Sequence, residues 1–191
     1  MRQNPERRAA LIDAAIEVLA GQGARGLTFR AVDKEAGVPV GTASNYFANR
    51  DDLLMQVNGR VFERLDPDST VIDASMALPR TRASVDRLLH EMVERLTAFP
   101  SGQLAMLELR LESARRPELR AAITEQVRAN LQENIDFHLA SGLPGDADSV
   151  VLLYLALNGL IVERLTLPDL FDEARANALI TELTERIIQN P

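Results

Sequence analysis

Apolar residues in this chain recur at three- and four-residue steps over most of its length, and that period is the strongest constraint on its fold. Leu119, Ile123, Val127, Leu131, Ile135 and Leu139 stand four apart. Val85, Leu88, Leu89, Met92, Leu96 and Phe99 make a second stripe, and Leu11, Ile12, Ala15, Ile16 and Leu19 a third. Such a stripe lies along one side of an α-helix, whereas the sustained alternation of a half-buried strand is absent. The expected fold class is all-α.

Capping and breaking residues divide the pattern into elements. Asn4 and Pro5 open a first helix that Gly21-Gln22-Gly23 stops. Thr28 caps a short second helix with Phe29 and Val32 inward, ending at Gly37. A third is expected from about Val40 to Tyr46, and Asn49 caps a fourth in a capping-box-like arrangement with Asp52. The pattern breaks around Asp66-Pro67-Asp68-Ser69-Thr70 and again at Pro79. Longer helices then follow over about 81–99, 102–115, 117–140, 146–165 and 172–189, with Gly142-Leu143-Pro144-Gly145 as a turn. This predicts a small head, residues 1–56, and a helical body, 57–191.

The segment from Leu27 to Phe47 has the grammar of a helix-turn-helix. Two short helices flank a turn at Gly37, and Ala43 and Phe47, four apart, anchor the second against the first helices. Val40, Gly41, Thr42, Ser44, Asn45 and Tyr46 then face outward, where hydroxyl and amide groups reach phosphates and base edges. Charge allows this despite a chain total of −7: residues 1–60 carry eight Lys/Arg against seven Asp/Glu, while the remainder carries thirteen against twenty-one. Binding phosphate needs only a local positive face. All but one of the cations are arginines, the exception being Lys34.

These residues resemble the TetR family of regulators, in which the head reads Thr-x-x-x-Ile-Ala-x-x-Ala-Gly-Val-Ser-x-Gly-Thr-Leu-Tyr-x-His/Tyr-Phe-x-x-Lys-x-x-Leu. Thr28, Val32, Ala36, Gly37, Val38, Gly41, Thr42, Tyr46, Phe47, Arg50, Leu53 and Leu54 match or are close to it. Asp33 stands in place of a small residue, Pro39 in place of the serine cap, and Ala43-Ser44 in place of Leu-Tyr. The resemblance implies a repressor that binds double-stranded operator DNA as a homodimer and answers to a small-molecule effector. It implies DNA contacts at Thr28, Arg30, Val40, Gly41, Thr42, Ser44, Asn45 and Tyr46, with Arg50 meeting a phosphate at the start of the fourth helix. The rival reading is an all-helical ligand-binding or interaction protein that has lost DNA binding, with Asp33 and the acidic total in its favour.

In the body, Val150–Val162 is apolar nearly all round, and such a helix must be covered on every side. With the stripe of the last helix it forms an expected dimer interface of Val151, Leu155, Ile161, Leu179, Ile180, Leu183 and Ile187. The run is interrupted by Asn158 and Gly159 and falls short of the roughly 20 residues a bilayer needs, so no membrane partner is expected. A ligand pocket needs apolar walls and a few polar groups. Met92, Leu96, Phe99, Met106, Leu107 and Leu111 are the candidate walls, and Asn134, His138, Tyr154 and Asn158 the polar points. His90, in line with Asp86 and Glu94, is expected on a solvated face. No cysteine and two separate histidines give no metal set, no nucleophile motif or phosphate loop is present, and neither a cofactor nor catalysis is expected. The lack of cysteine fits a cytoplasmic protein.

Overall fold

A computed structural model describes residues 4–189. Among them are nine α-helices, one 3-10 turn and no strand: α1 Pro5–Gly26, α2 Phe29–Glu35, the turn Ala43–Asn45, α3 Arg50–Leu65, α4 Ser69–Met76, α5 Arg82–Thr97, α6 Pro100–Ser113, α7 Pro117–Ser141, α8 Ala147–Thr166 and α9 Glu173–Ile187. Side-chain caps set the starts. Asn4, Thr28, Asn49, Thr81, Asp146 and Asp172 each accept from a free amide of their helix's first turn, satisfying donors that have no partner within the helix. Asp52 reaches back at the start of α3, but to the Ala48 amide and not to that of Asn49 (2.9 Å). At Gly23 the backbone turns to φ 68°, which interrupts α1 at the glycine pair that the sequence predicts to stop it.

The chain packs as two units. The first comprises residues up to Asp66 together with Phe99–Glu125; the second comprises Pro67–Ala98 and the residues from Gln126 on. The boundary expected at residue 56 falls inside α3. In the first unit α1 packs against α2, α3 and α6. Leu11, Ala15, Ile16, Leu19, Val32, Leu53, Leu54, Val57, Ala105 and Leu109 are buried without residual exposure.

In the second unit α5, α8 and α9 pack together. Val93, Leu157, Leu160, Ala176 and Ile180 form one cluster, and Val85, Leu143, Leu153 and Ile188 another, with Leu183 packed partly against both. Gly145, at φ 114°, closes the turn before α8; a Cβ there would stand 2.8 Å from Ile188 Cδ1. The region expected as a simple break holds α4, capped by Asp68, whose carboxylate accepts from Thr70 and Val71. The helix buries none of its residues. Its apolar residues Val71, Ile72 and Met76 stay exposed, so no core-facing stripe marks it in the sequence.

Candidate DNA-reading surface

The reading segment follows α2 through Gly37, at φ 65°. Val38 N–H donates to Asp33 O (3.0 Å), closing the turn. Instead of the helix expected over Val40–Tyr46, the chain bends at Gly41, φ 93°, and makes the single 3-10 turn Ala43–Asn45. Two features shorten it. Pro39 has no hydroxyl with which to cap, and the polar side chains close on their own backbone, as residues of this type do outside helix interiors. Ser44 Oγ donates to Gly41 O (2.8 Å), Asn45 Nδ2 donates to the same carbonyl (3.0 Å), and Thr42 Oγ1 donates to Pro39 O.

Asp33 holds this bend from below. It is buried, and its two oxygens accept from Gly41 N–H and Ala43 N–H, each at 2.7 Å. An acid that reads in the sequence as an unfavourable departure is the acceptor that replaces the missing cap. Ala43 and Phe47 point inward as expected, with the Phe47 ring 6.3 Å from that of Phe29. Arg8 also secures the segment. It donates to Tyr46 O (2.9 Å) and Gln56 Oε1 (2.7 Å), with its guanidinium 5.6 Å from the Phe47 ring centroid.

Outward stand Val40, which is 77 % exposed, Gly41, Ser44 and Asn45, with Thr42 and Tyr46 half-buried. Thr28 and Arg30 are exposed at the start of α2, where the Thr28 hydroxyl accepts from Ala31 N–H (3.1 Å). Arg50 departs from expectation. Its Nη2 donates to Ala24 O, its Nε donates to Leu27 O (3.3 Å), and its Nη1 lies 3.5 Å from Glu112. Those acceptors hold the guanidinium against the α1–α2 junction, which it braces while its side chain stays one-third exposed.

Around that brace α6 grips the rest of the unit. Glu108 accepts from Ala24 N–H (2.8 Å), and Ser101 Oγ donates to Glu17 (2.7 Å). Glu112 receives Arg115 (2.9 Å) and Arg116 (3.0 Å) as well as Arg50, and Arg116 also pairs with Asp51. Hydrogen bonds from Arg115 and then Arg116 hold the Glu112 carboxyl below the usual carboxylate range. Ala24, Arg50 and Asp51 find these acidic and basic partners more than sixty residues along the chain, so no local signal marks them.

The residues expected to line a pocket are divided between the units. In the first, Met106 is core, Leu107 is half-buried and Leu111 is 59 % exposed. Phe99 lies 3.7 Å beneath the Arg64 guanidinium. In the second, Met92 packs on the Val93 cluster, Leu96 and Tyr154 are half-buried and His138 is buried. Burial pushes the His138 imidazole down from its usual value. Asn134 and Asn158 are exposed, with their amides turned onto Asn130 O (2.8 Å) and Tyr154 O (2.7 Å) one helical turn back. Leu111, Asn134 and Asn158 are therefore turned to solvent, while the half-buried Phe99 is stacked under Arg64. His90, expected to be solvated, is half-buried with its Nε2 3.1 Å from Thr181 Oγ1.

The interface expectation needs a similar correction. Ile161 and Ile180 are buried within the chain, Ile180 among α5, α8 and α9, so neither is available to a partner. Leu179, Leu183 and Ile187 pack partly on the same clusters and Val151 is half-buried. What α8 leaves uncovered is Leu155, 60 % exposed, and Leu152, 53 % exposed, three residues apart on one face. Among the described residues α8 alone is long and apolar enough to cross a membrane, a property that core helices share.

Residues 11–57 match the family model of bacterial regulatory proteins of the tetR family, and residues 80–189 match the tetracyclin repressor-like C-terminal domain. The HTH-type transcriptional regulator BetI of Rhizobium meliloti is 30 % identical over 143 residues, covering 74 % of this chain and 68 % of that protein. A TetR-family structure from Streptomyces coelicolor A3 is 28 % identical with a TM-score of 0.69, covering 97 % of this chain and 100 % of that one. The multidrug binding protein EbrR, solved with imidazole, is 27 % identical with a TM-score of 0.63, covering 98 % of each chain.

Proposed function

This chain belongs to the TetR family of bacterial regulatory proteins, and from that premise we propose that it is a ligand-responsive repressor gripping a palindromic operator as a homodimer. As a member of that family it is a DNA-binding transcriptional regulator and not an enzyme. The observation that carries the finer reading is the two-sidedness of residues 40–47. Ala43 and Phe47 are buried beneath, while Val40, Gly41, Ser44 and Asn45 are exposed above. Backbone and small polar side chains presented on a braced turn suit close approach to a major groove, and Tyr46, Thr28 and Arg30 extend the surface towards phosphates.

A second head in two-fold relation supplies the other half-site, which a palindrome requires. Leu152 and Leu155 form the apolar face a second copy would cover. EbrR is a multidrug binding protein, and we infer a small-molecule effector here too, taken up in the second unit beside Met92, Leu96, His138 and Tyr154. Binding there shifts the spacing or freedom of the heads, and a coupling of about 1–3 kcal/mol changes operator affinity roughly 5- to 150-fold. Its place of action is the cytoplasm, where chromosomal DNA lies.

A gel shift with DNA from upstream of the protein's own coding region tests this reading. The expected outcome is a discrete complex whose affinity falls steeply between about 50 and 200 mM salt, as counterion release requires. Absence of any complex, with the protein folded, would favour the interaction-protein reading.

A further inference from the structure

Arg25, Arg50, Glu112, Arg115 and Arg116 line an open cleft of about 560 Å³ in the first unit; of these only Arg50 is among the expected DNA contacts. A guanidinium carries five N–H donors in a planar fork. Three donations are made by Arg50, to Ala24 O, Leu27 O and Glu112, and two by Arg116, to Asp51 and Glu112. Arg115 makes one, to Glu112, and is 68 % exposed in its side chain. Arg25 is exposed with no ion pair or hydrogen bond from its side chain among the described residues.

Three of the four guanidinia thus pair with two carboxylates, Glu112 and Asp51, and Arg25 with neither, which leaves a positive excess on a chain of net charge −7. Glu112 draws Arg50, Arg115 and Arg116 together on one carboxylate. It fixes where the forks converge, and their outer donors are left for something else. Planar forks match the oxygens of phosphate in a bidentate way that a lone ammonium does not.

We propose that this cleft is a binding site for a phosphate-class anion, held chiefly by Arg25 and Arg115 with Arg50 and Arg116 behind them. Glu112 organises the site and does not bind the anion. The phosphate has two possible sources, the backbone of bound DNA and a soluble phosphorylated compound, and one pair of measurements separates them.

Inorganic pyrophosphate is titrated into the full chain by calorimetry at constant ionic strength, for wild type and for Arg25→Ala/Arg115→Ala. Both side chains are solvent-facing, so helix content should be unchanged. In parallel, the salt dependence of binding to the upstream DNA is measured for the same two proteins. Saturable pyrophosphate binding, weakened at least about tenfold in the variant while the DNA salt slope holds, supports a soluble ligand. A shallower DNA slope in the variant, by about 0.9 for each phosphate no longer neutralised, supports the DNA backbone, whether or not free pyrophosphate binds. The proposal is overturned if the slope is unchanged and pyrophosphate either fails to bind or binds both proteins equally. The pyrophosphate measurement needs no DNA, so its failure is distinct from failure of the regulator reading.

Discussion

The two units of this molecule solve the same problem to different degrees. In the first, α1 is enclosed by α2, α3 and α6, and its core leucines and isoleucines retain almost no exposure. Arg8 and Arg50 donate to Tyr46 O and Leu27 O, and Asp33 accepts from Gly41 and Ala43 N–H, which pins the segments between the helices. In the second, α5 and α9 cover one side of α8 and leave Leu152 and Leu155 in water. A reading head must be rigid by itself, because a hydrogen bond to a base edge does not survive displacement by an ångström. A body that assembles with its copy can leave a face unfinished, and that unfinished face is where association gains apolar burial.

The largest expected effect tests whether the second unit is completed by a partner. Leu155→Glu should convert a dimer into monomers in analytical ultracentrifugation and weaken binding to a two-half-site operator roughly 100- to 10,000-fold, the range that linking two sites commonly provides. Leu183→Glu is the poorer experiment, since Leu183 packs on both core clusters and a charge there would open the subunit. A wild-type monomer at micromolar concentration would refute the comparison outright.

Next, truncations at the two kinds of position should differ. Leu54→Ala, with no exposure in the wild type, should lower unfolding free energy by about 2–5 kcal/mol in urea titrations. Leu152→Ala should cost about 1 kcal/mol or less in the monomeric Leu155→Glu background, because about half of that residue is already exposed within the chain. Equal costs would mean that the second unit is as complete as the first.

Asp33 distinguishes bracing from direct DNA contact. Asp33→Ala strands the buried Ala43 amide and frees that of Gly41; it should cost about 1–3 kcal/mol in stability and weaken operator binding, with faster hydrogen exchange at Gly41 and Ala43. Tyr46→Ala should weaken binding without altering exchange at those amides. If Asp33→Ala left both exchange and affinity unchanged, the short reading turn would owe its shape to something else.

The smallest effect is a pH dependence in the second unit. Burial favours the neutral form of His138, its folded value lying below that of the unfolded chain. Above the unfolded value near 6.5 both states are neutral and stability is at its full level. As pH falls through that value the unfolded chain takes up the proton first, so stability declines until the folded value is reached. His138→Gln should flatten the decline in thermal melts between about pH 7 and 5, whereas melts of Leu54→Ala should keep the wild-type slope.

The sequence by itself determined the helical class, the caps at Asn4, Thr28 and Asn49, the glycine stops and the inward pair Ala43 and Phe47. Each depends on residues within about four positions of one another, and so on dihedral preference and helical period, which the sequence displays directly. Tertiary structure alone decided where the charges and faces went. Arg50 turns to a carbonyl 23 positions back and a carboxylate 62 positions on, and Arg116 pairs with Asp51 across 65. Asp33 becomes a cap only because the chain beyond Gly37 folds back over it. An all-round apolar helix likewise does not announce which side its own chain will cover. The packing of α5 and α9 fixed that, burying Leu157 and Leu160 and leaving Leu152 and Leu155 outside.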